Sequence, residues 1–375
     1  MLSISALWII VCAFLVFMMQ GGFLALETGM TRNKNNIDVA MKNIVDFTVS
    51  SVIYWMIGFP IMFGIAYYGE LVFFPDVTLD ADLLLLFLFQ VMFCGTTVTI
   101  LSGTIAERTR FDVYVIITML ISAIIYPVFG QWVWTVNADG MAIGWLARLG
   151  FYDFAGSTVV HSIGGWAALA ITIIVGARHG RFNDDGQVVE IPRSNLPLVI
   201  LGVLLLWFGW FGFNGGSTPS FDETTLKVLF NTLIAGSLGG VTGFILGIML
   251  GQRGDVELIL NGVLAALVGI TAGANIISGI GVVITAVVSP VIYVVISRLL
   301  IRLKIDDVVG AIPVHLGAGI WGTLAVALFG NLELIGTGLS RPEQIMIQLL
   351  GIAVCGVWTF MGVYGVTYAM NLIRP

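Results

Sequence analysis

Apolar residues run along this chain in long unbroken blocks, and polar residues are confined to short breaks between them. A helix that spans a bilayer needs about 20 mostly apolar residues. With that ruler the pattern predicts eleven spanning helices, near 4–28, 44–66, 83–106, 113–134, 155–176, 197–217, 227–250, 258–275, 279–301, 308–330 and 345–372. The blocks are too long and too continuous for the alternating strands of a membrane β-barrel. No connection between them is long enough for a separate soluble domain. The expected fold is an all-α polytopic membrane protein.

Composition sharpens this. Of the 375 residues, 58% are hydrophobic, 46 are glycine and only 10% are charged, where soluble chains carry about 25% charged residues. A net charge of −6 with no basic block argues against nucleic-acid binding. The three cysteines, Cys12, Cys94 and Cys355, all lie inside apolar runs and do not form a disulfide framework.

The scarce positive charges orient the map. Thirteen of the sixteen Lys and Arg residues fall on one side of the eleven-helix arrangement; Arg148, Lys227 and Arg341 alone fall on the other. Basic loops face the cytoplasm, so the N-terminus is expected outside and the C-terminus inside. The sidedness also checks the count, because removing one helix would scramble it. No Lys or Arg precedes the first helix, so it lacks the basic leader of a signal peptide and is expected to be retained.

Two segments echo each other. From Asp153 to His161 the chain reads DFAGSTVVH, followed by a glycine-rich turn, Trp166 and Leu-Ala; from Asp307 to His315 it reads DVVGAIPVH, followed by a similar turn, Trp321 and Leu-Ala. They open the fifth and tenth helices, an odd number of spans apart, and therefore run in opposite directions. The first and sixth helices add a weaker echo, MQGG at Met19 against FNGG at Phe213. The expected organisation is an inverted repeat of five plus five helices: 1–176 and 197–331, joined by a cytoplasmic loop 177–196 and followed by 332–375, a periplasmic loop and an eleventh helix outside the repeat. Such repeats place a substrate site near the bilayer midplane.

Of the three histidines, His179 is expected to be solvated in a loop, whereas His161 and His315 sit inside spans at related positions. Buried polar groups at that depth usually face a cavity or each other. Two facing imidazoles can share a proton and can accept one from a passing donor. No Cys or carboxylate lies close enough in sequence to complete a metal site, and no nucleophile–base motif suggests an enzyme. Neither a metal nor a cofactor is implied.

These residues carry a resemblance. The motifs DFAGSTVVH (Asp153–His161), FGFNGGS (Phe211–Ser217), GTIAER (Gly103–Arg108) and VHLGAGIWGT (from Val314) are similar to those of the ammonium transporter, methylammonium permease and Rhesus family, its bacterial branch above all, over about Gln20 to Thr367. The resemblance implies eleven helices, a homotrimer in the cell (inner) membrane, and one hydrophobic pore per protomer that takes ammonium or ammonia. His161 and His315 resemble the twin pore histidines, and Phe93 and Phe213 the outer phenylalanine gate. Trp134, with Phe93 and Ser217, resembles the outer cage that binds ammonium, and Asp153 the aspartate that shapes it. Without the motifs, Phe93 and Phe213 are two of 24 phenylalanines and read as packing, Ser217 as a helix-end serine, Trp134 as an interfacial belt residue and Asp153 as a helix cap.

The physics suits those roles. Aromatic rings attract a cation by up to about 2 kcal/mol when it is desolvated, and ammonium, unlike potassium, can donate hydrogen bonds and lose a proton. Two departures stand out. The stretch from Thr135 to Gly144 is longer than in most bacterial members, which makes Trp145 a rival of Trp134, and Gln131 stands where a histidine often precedes the Trp-Val-Trp run. The chain also stops at Pro375 without the usual cytoplasmic tail that meets a regulatory protein. An alternative is therefore expected: an ammonium sensor whose natural chain continues into a kinase or cyclase signalling domain. A neutral-gas channel of the Rhesus type is a third reading.

Overall fold

The computed structural model describes residues 3–77, 80–137, 139–252 and 255–373. Among these residues eleven apolar helices dominate: α1 (Ile4–Met30), α2 (Asn33–Tyr67), α3 (Ala81–Thr104), α4 (Phe111–Trp134), α5 (Ser157–Val175), α6 (Leu196–Gly215), α7 (Glu223–Met249), α8 (Val256–Thr271), α9 (Ile280–Arg302), α10 (Ile312–Phe329) and α11 (Arg341–Ile373). Ten are long and apolar enough to span a bilayer, and α8 is a shorter apolar helix of 16 residues. Among the described residues there is no strand, only two isolated bridges in loops. The chain is a multi-pass helical membrane protein.

Two helices differ from the pattern expected at their ends. α2 begins about ten residues before position 44, because its first turns are polar yet satisfied: Lys42 is buried and reaches both Asp38 at 2.9 Å and the Thr109 carbonyl at 2.8 Å. A count of apolar residues does not register such a turn. α8 stops at Thr271 rather than 275 because Asn231 of α7 donates to the Ala274 and Ile277 carbonyls at 2.8 and 3.0 Å. These side-chain bonds let the backbone leave the helix without stranding polar groups in an apolar interior.

Small residues let the helices meet at backbone distance. α1 packs most extensively on α6, and α7 on α8. The glycine ridge of α7 faces α8: a Cβ on Gly239 would lie 2.3 Å from the Gly262 carbonyl oxygen, and one on Gly243 would lie 2.1 Å from that of Leu258. Gly247 and Gly251 face no such obstacle. Gly239→Ala must push two backbones apart and is expected to cost about 1–3 kcal/mol. Thermal unfolding in detergent checks this, and an unchanged melting temperature would show that the contact can relax.

The loops α1–α2, α3–α4, α5–α6 and α9–α10 meet at one end of the bundle, here called the basic end. Arg32 pairs with Glu107 at 2.8 Å, while Arg108 and Arg178 both contact Asp306 at 2.8 Å. Burial pushes the Asp306 carboxyl up, but the two guanidiniums outweigh it and hold it below the usual carboxylate range. Loops from alternate turns of the chain can converge this way only with the parity that the eleven-helix map requires. Of the Lys and Arg residues counted in that map, Arg253 and Arg374 lie outside the described residues.

Candidate functional site

A column of aromatic and histidine side chains runs through the bundle. At the end opposite the basic one, a cavity of about 440 Å³ is lined by Phe63, Phe89, Gln90, Phe93, Trp134, Phe154 and Ser217, among others. Phe93 comes from α3, Trp134 from the last turn of α4, and Ser217 from just beyond α6. Ser217 donates its hydroxyl proton to the Phe213 carbonyl at 2.9 Å. Its oxygen lone pairs are therefore left to accept from whatever enters.

Phe93, in the wall of this cavity, is one of a pair of stacked rings. Phe93 and Phe213 lie 4.0 Å apart between centroids with a 17° interplanar angle, and Trp134 meets the edge of Phe93 at 6.1 Å. Both phenylalanines are at most 1% exposed. Beneath them His161 stacks against Phe213 at 5.3 Å and against Trp210 at 5.0 Å.

His161 and His315, 154 residues apart, meet ring to ring. Their Nδ1 atoms are 3.1 Å apart, so one donates and the other accepts across a single shared proton. Both are buried, and His161 Nε2 has no partner among the described residues. Each histidine sits on a wide turn that opens its helix, Ser157–Ser162 in α5 and Ile312–Gly317 in α10. Such widened turns disturb the regular register and are frequent at functional positions.

A matching carboxylate holds each of these turns. Asp153 accepts from the backbone N–H groups of Gly156, Ser157, Thr158 and Val159 at 2.8–3.1 Å. Asp307 accepts from those of Gly310, Ala311 and Ile312 at 2.7–3.2 Å. Burial pushes the Asp307 carboxyl up to about 6, against the pull of its backbone donors.

Below the histidines a cavity of about 20 Å³ contains His315, Phe23, Ile100, Glu27 and Val314 in its walls. It shares Asn261 and Gly310 with a vestibule of about 160 Å³ at the basic end, which Arg178, Arg181, Glu257 and Asp307 line. The sequence of spaces is thus aromatic mouth, closed phenylalanine pair, histidine pair, narrow apolar cavity and charged vestibule.

The sequence-expected residues separate at this point. Phe93, Trp134 and Ser217 share the mouth cavity, Phe213 stacks on Phe93, and His161 meets His315. Asp153 does not line that cavity but borders a neighbouring one of about 640 Å³ that shares Trp134 and Phe154 with it; its carboxylate is occupied by backbone donors, and its main-chain oxygen accepts from Trp134 Nε1 at 2.6 Å. Trp145 packs on Trp132 at 5.8 Å and is not among the lining residues, so the added stretch does not displace Trp134. Trp210, which covers one face of His161, and Gln90, which accepts from Tyr126 at 2.8 Å, were not singled out in sequence. Nothing in an apolar run distinguishes a tryptophan that stacks on histidine from one that packs on leucine. No group of three or more His, Cys, Asp or Glu side chains that could hold a metal occurs among the described residues.

With this geometry in place, comparison with known proteins is specific. The model of the Ammonium Transporter Family matches residues 7–374. Ammonium transporter Amt2 of Archaeoglobus fulgidus is 37% identical, over 99% of this chain and 80% of its own length. The Synechocystis sp. protein sll0537, named for ammonium transport, is 48% identical over 96% of this chain and 68% of its own. Among solved structures, one named Sensor Amt Protein superposes with a TM-score of 0.93 at 40% identity, covering 99% of this chain and 94% of that one. Mep2 of Candida albicans does so with a TM-score of 0.86 at 26% identity, covering 98% of this chain and 84% of its own.

Proposed function

The chain belongs to the ammonium transporter family, a family of membrane transporters rather than enzymes, and from that premise we propose that it moves ammonium through the aromatic and histidine column. The observation that carries the reading is the buried His161–His315 pair directly behind two stacked phenylalanines. Ammonium is captured at the mouth by the faces of Phe93 and Trp134 and by the Ser217 oxygen. A bare cation entering the apolar passage behind Phe93 and Phe213 would lose its hydration without replacement. Ammonium avoids that cost by leaving a proton on the histidines, and ammonia passes. Potassium has no proton to give, so the passage rejects it.

In the cell membrane the basic end faces the cytoplasm and the mouth faces out, as the distribution of Lys and Arg supports. The protomers form a homotrimer, as the family resemblance implies. Residues 1–176 and 197–331 are the two inverted halves; the paired wide turns and their carboxylates, Asp153 and Asp307, support that division. Asp153 acts by holding the histidine-bearing turn beneath the mouth.

Ammonium concentration jumps on protein reconstituted in vesicles test this. A saturable current that potassium neither carries nor blocks is expected. Ser217→Ala removes a hydrogen bond from a charged donor and is expected to raise the half-saturating ammonium concentration about tenfold. An unchanged value would remove Ser217 from the site.

A second reading rests on the likeness to the structure named Sensor Amt Protein: an ammonium sensor that binds at the same mouth and reports to a cytoplasmic signalling domain or regulatory protein. Saturable ammonium binding with no current would favour it over transport.

A further inference from the structure

Glu27 is a membrane-buried acid that the proposed transport path does not yet use. It lies one turn inside the basic end of α1 and is 1% exposed. Its carboxyl accepts from Ser102 Oγ at 2.5 Å and from Asn43 Nδ2 at 2.7 Å, and no Lys or Arg among the described residues forms an ion pair with it. The nearby ammonium group of Lys42 is occupied by Asp38 and the Thr109 carbonyl. Ionisable side chains inside spans are costly and mark ion or proton pathways.

Its position gives it a task. Glu27 and His315 line the same cavity of about 20 Å³, room for one water. Most of the remaining wall is apolar, including Phe23, Ile100, Leu206 and Val314. Only the shared residues Asn261, Val309 and Gly310 stand between this cavity and the charged vestibule, bordering both.

The surroundings of Glu27 suit both of its protonation states. As a carboxylate it accepts from Ser102 and Asn43. As an acid its O–H can donate to Ser102 Oγ, whose own proton then goes to the Thr99 carbonyl at 2.9 Å.

We infer that Glu27 is the proton acceptor on the basic side of the histidine pair. The inference rests on the transport reading above. An N–H bond of ammonium breaks at the histidines and leaves ammonia. The proton passes from His315 through one water to the Glu27 carboxylate, which becomes the acid. Water in the vestibule then takes the proton, Glu27 returns to the carboxylate, and the emerging ammonia becomes ammonium again. No electrons are transferred.

The test is Glu27→Gln in the full chain, reconstituted in vesicles beside the wild type. The amide that replaces the carboxyl can keep both hydrogen bonds, its oxygen accepting from Asn43 and its N–H donating to Ser102 Oγ, which retains the Thr99 carbonyl as its own acceptor, so folding is expected to survive. The ammonium-evoked current is expected to fall at least tenfold, while ammonium binding at the mouth, followed by tryptophan fluorescence, keeps its half-saturation. Glu27→Asp should restore part of the current. A current in E27Q equal to that of the wild type would overturn the inference and leave the transport reading intact. A wild type that binds ammonium without current would overturn both. Infrared difference spectra of the wild type on adding ammonium give a readout that does not depend on a variant's folding. A carboxyl band that shifts when Glu27 is replaced by Asp supports the relay. No carboxyl band in the conducting wild type would sink it.

Discussion

His161→Ala is expected to reduce the ammonium-evoked current about a hundredfold or more, because it removes one of the two bases that meet behind the phenylalanine pair. On the proposed path His161 is the first proton acceptor beneath Phe213, and its ring is held between Phe213, Trp210 and His315. Without it, His315 Nδ1 loses its partner, and a cation waiting at the mouth has no base within reach. Ammonium should still bind outside, since Phe93, Trp134 and Ser217 are untouched. The expected signature is therefore a lost current with an unchanged half-saturation for tryptophan fluorescence. A current that persists at wild-type size would mean that ammonium crosses without giving its proton to this pair.

Asp153→Ala should act on the fold instead. Its carboxylate satisfies four consecutive backbone N–H groups at the mouth of the α5 turn. Leaving even two of them buried and unpaired would cost about 2–6 kcal/mol, a large share of the roughly 5–15 kcal/mol that holds a typical protein together. The expected result is a protein that melts many degrees lower in detergent or fails to assemble. Asp153→Asn keeps one acceptor oxygen and should recover part of the loss. Unaltered melting of D153A would show that the turn finds other partners and that the carboxylate serves the mouth in some further way.

The two results would separate chemistry from scaffolding at neighbouring positions on the same helix start. His161 and Asp153 were both visible in the sequence as parts of a repeated motif, but nothing there distinguished their work. The structure separates them through hydrogen-bond partners: His161 has a ring nitrogen to spare, and Asp153 has none of its oxygens free of backbone donors.

Much of the architecture was legible beforehand. The number of helices, the gathering of basic loops at one end and the related positions of His161 and His315 in a repeated motif follow from the chain alone. A bilayer selects each span by the apolar character of some twenty successive residues, and that property is local. The positive charges are sorted by the same kind of local rule, and a repeated motif is a repeat wherever the chain folds. The early start of α2 was missed because a buried lysine looks polar until its two partners are known.

What only the tertiary structure decided depends on which helices touch. That Trp134 rather than Trp145 lines the mouth, that Asp153 turns toward its own helix, and that Glu27 and His315 line one cavity are consequences of packing between segments far apart in sequence. Glycines at Gly239 and Gly243 bring backbones into contact only because Gly262 and Leu258 happen to face them. In an apolar chain the hydrophobic signal is nearly the same on every side of a helix, so periodicity carries little information about facing. The bilayer made the spans readable one by one, and close packing between them brought the histidines to within a hydrogen bond.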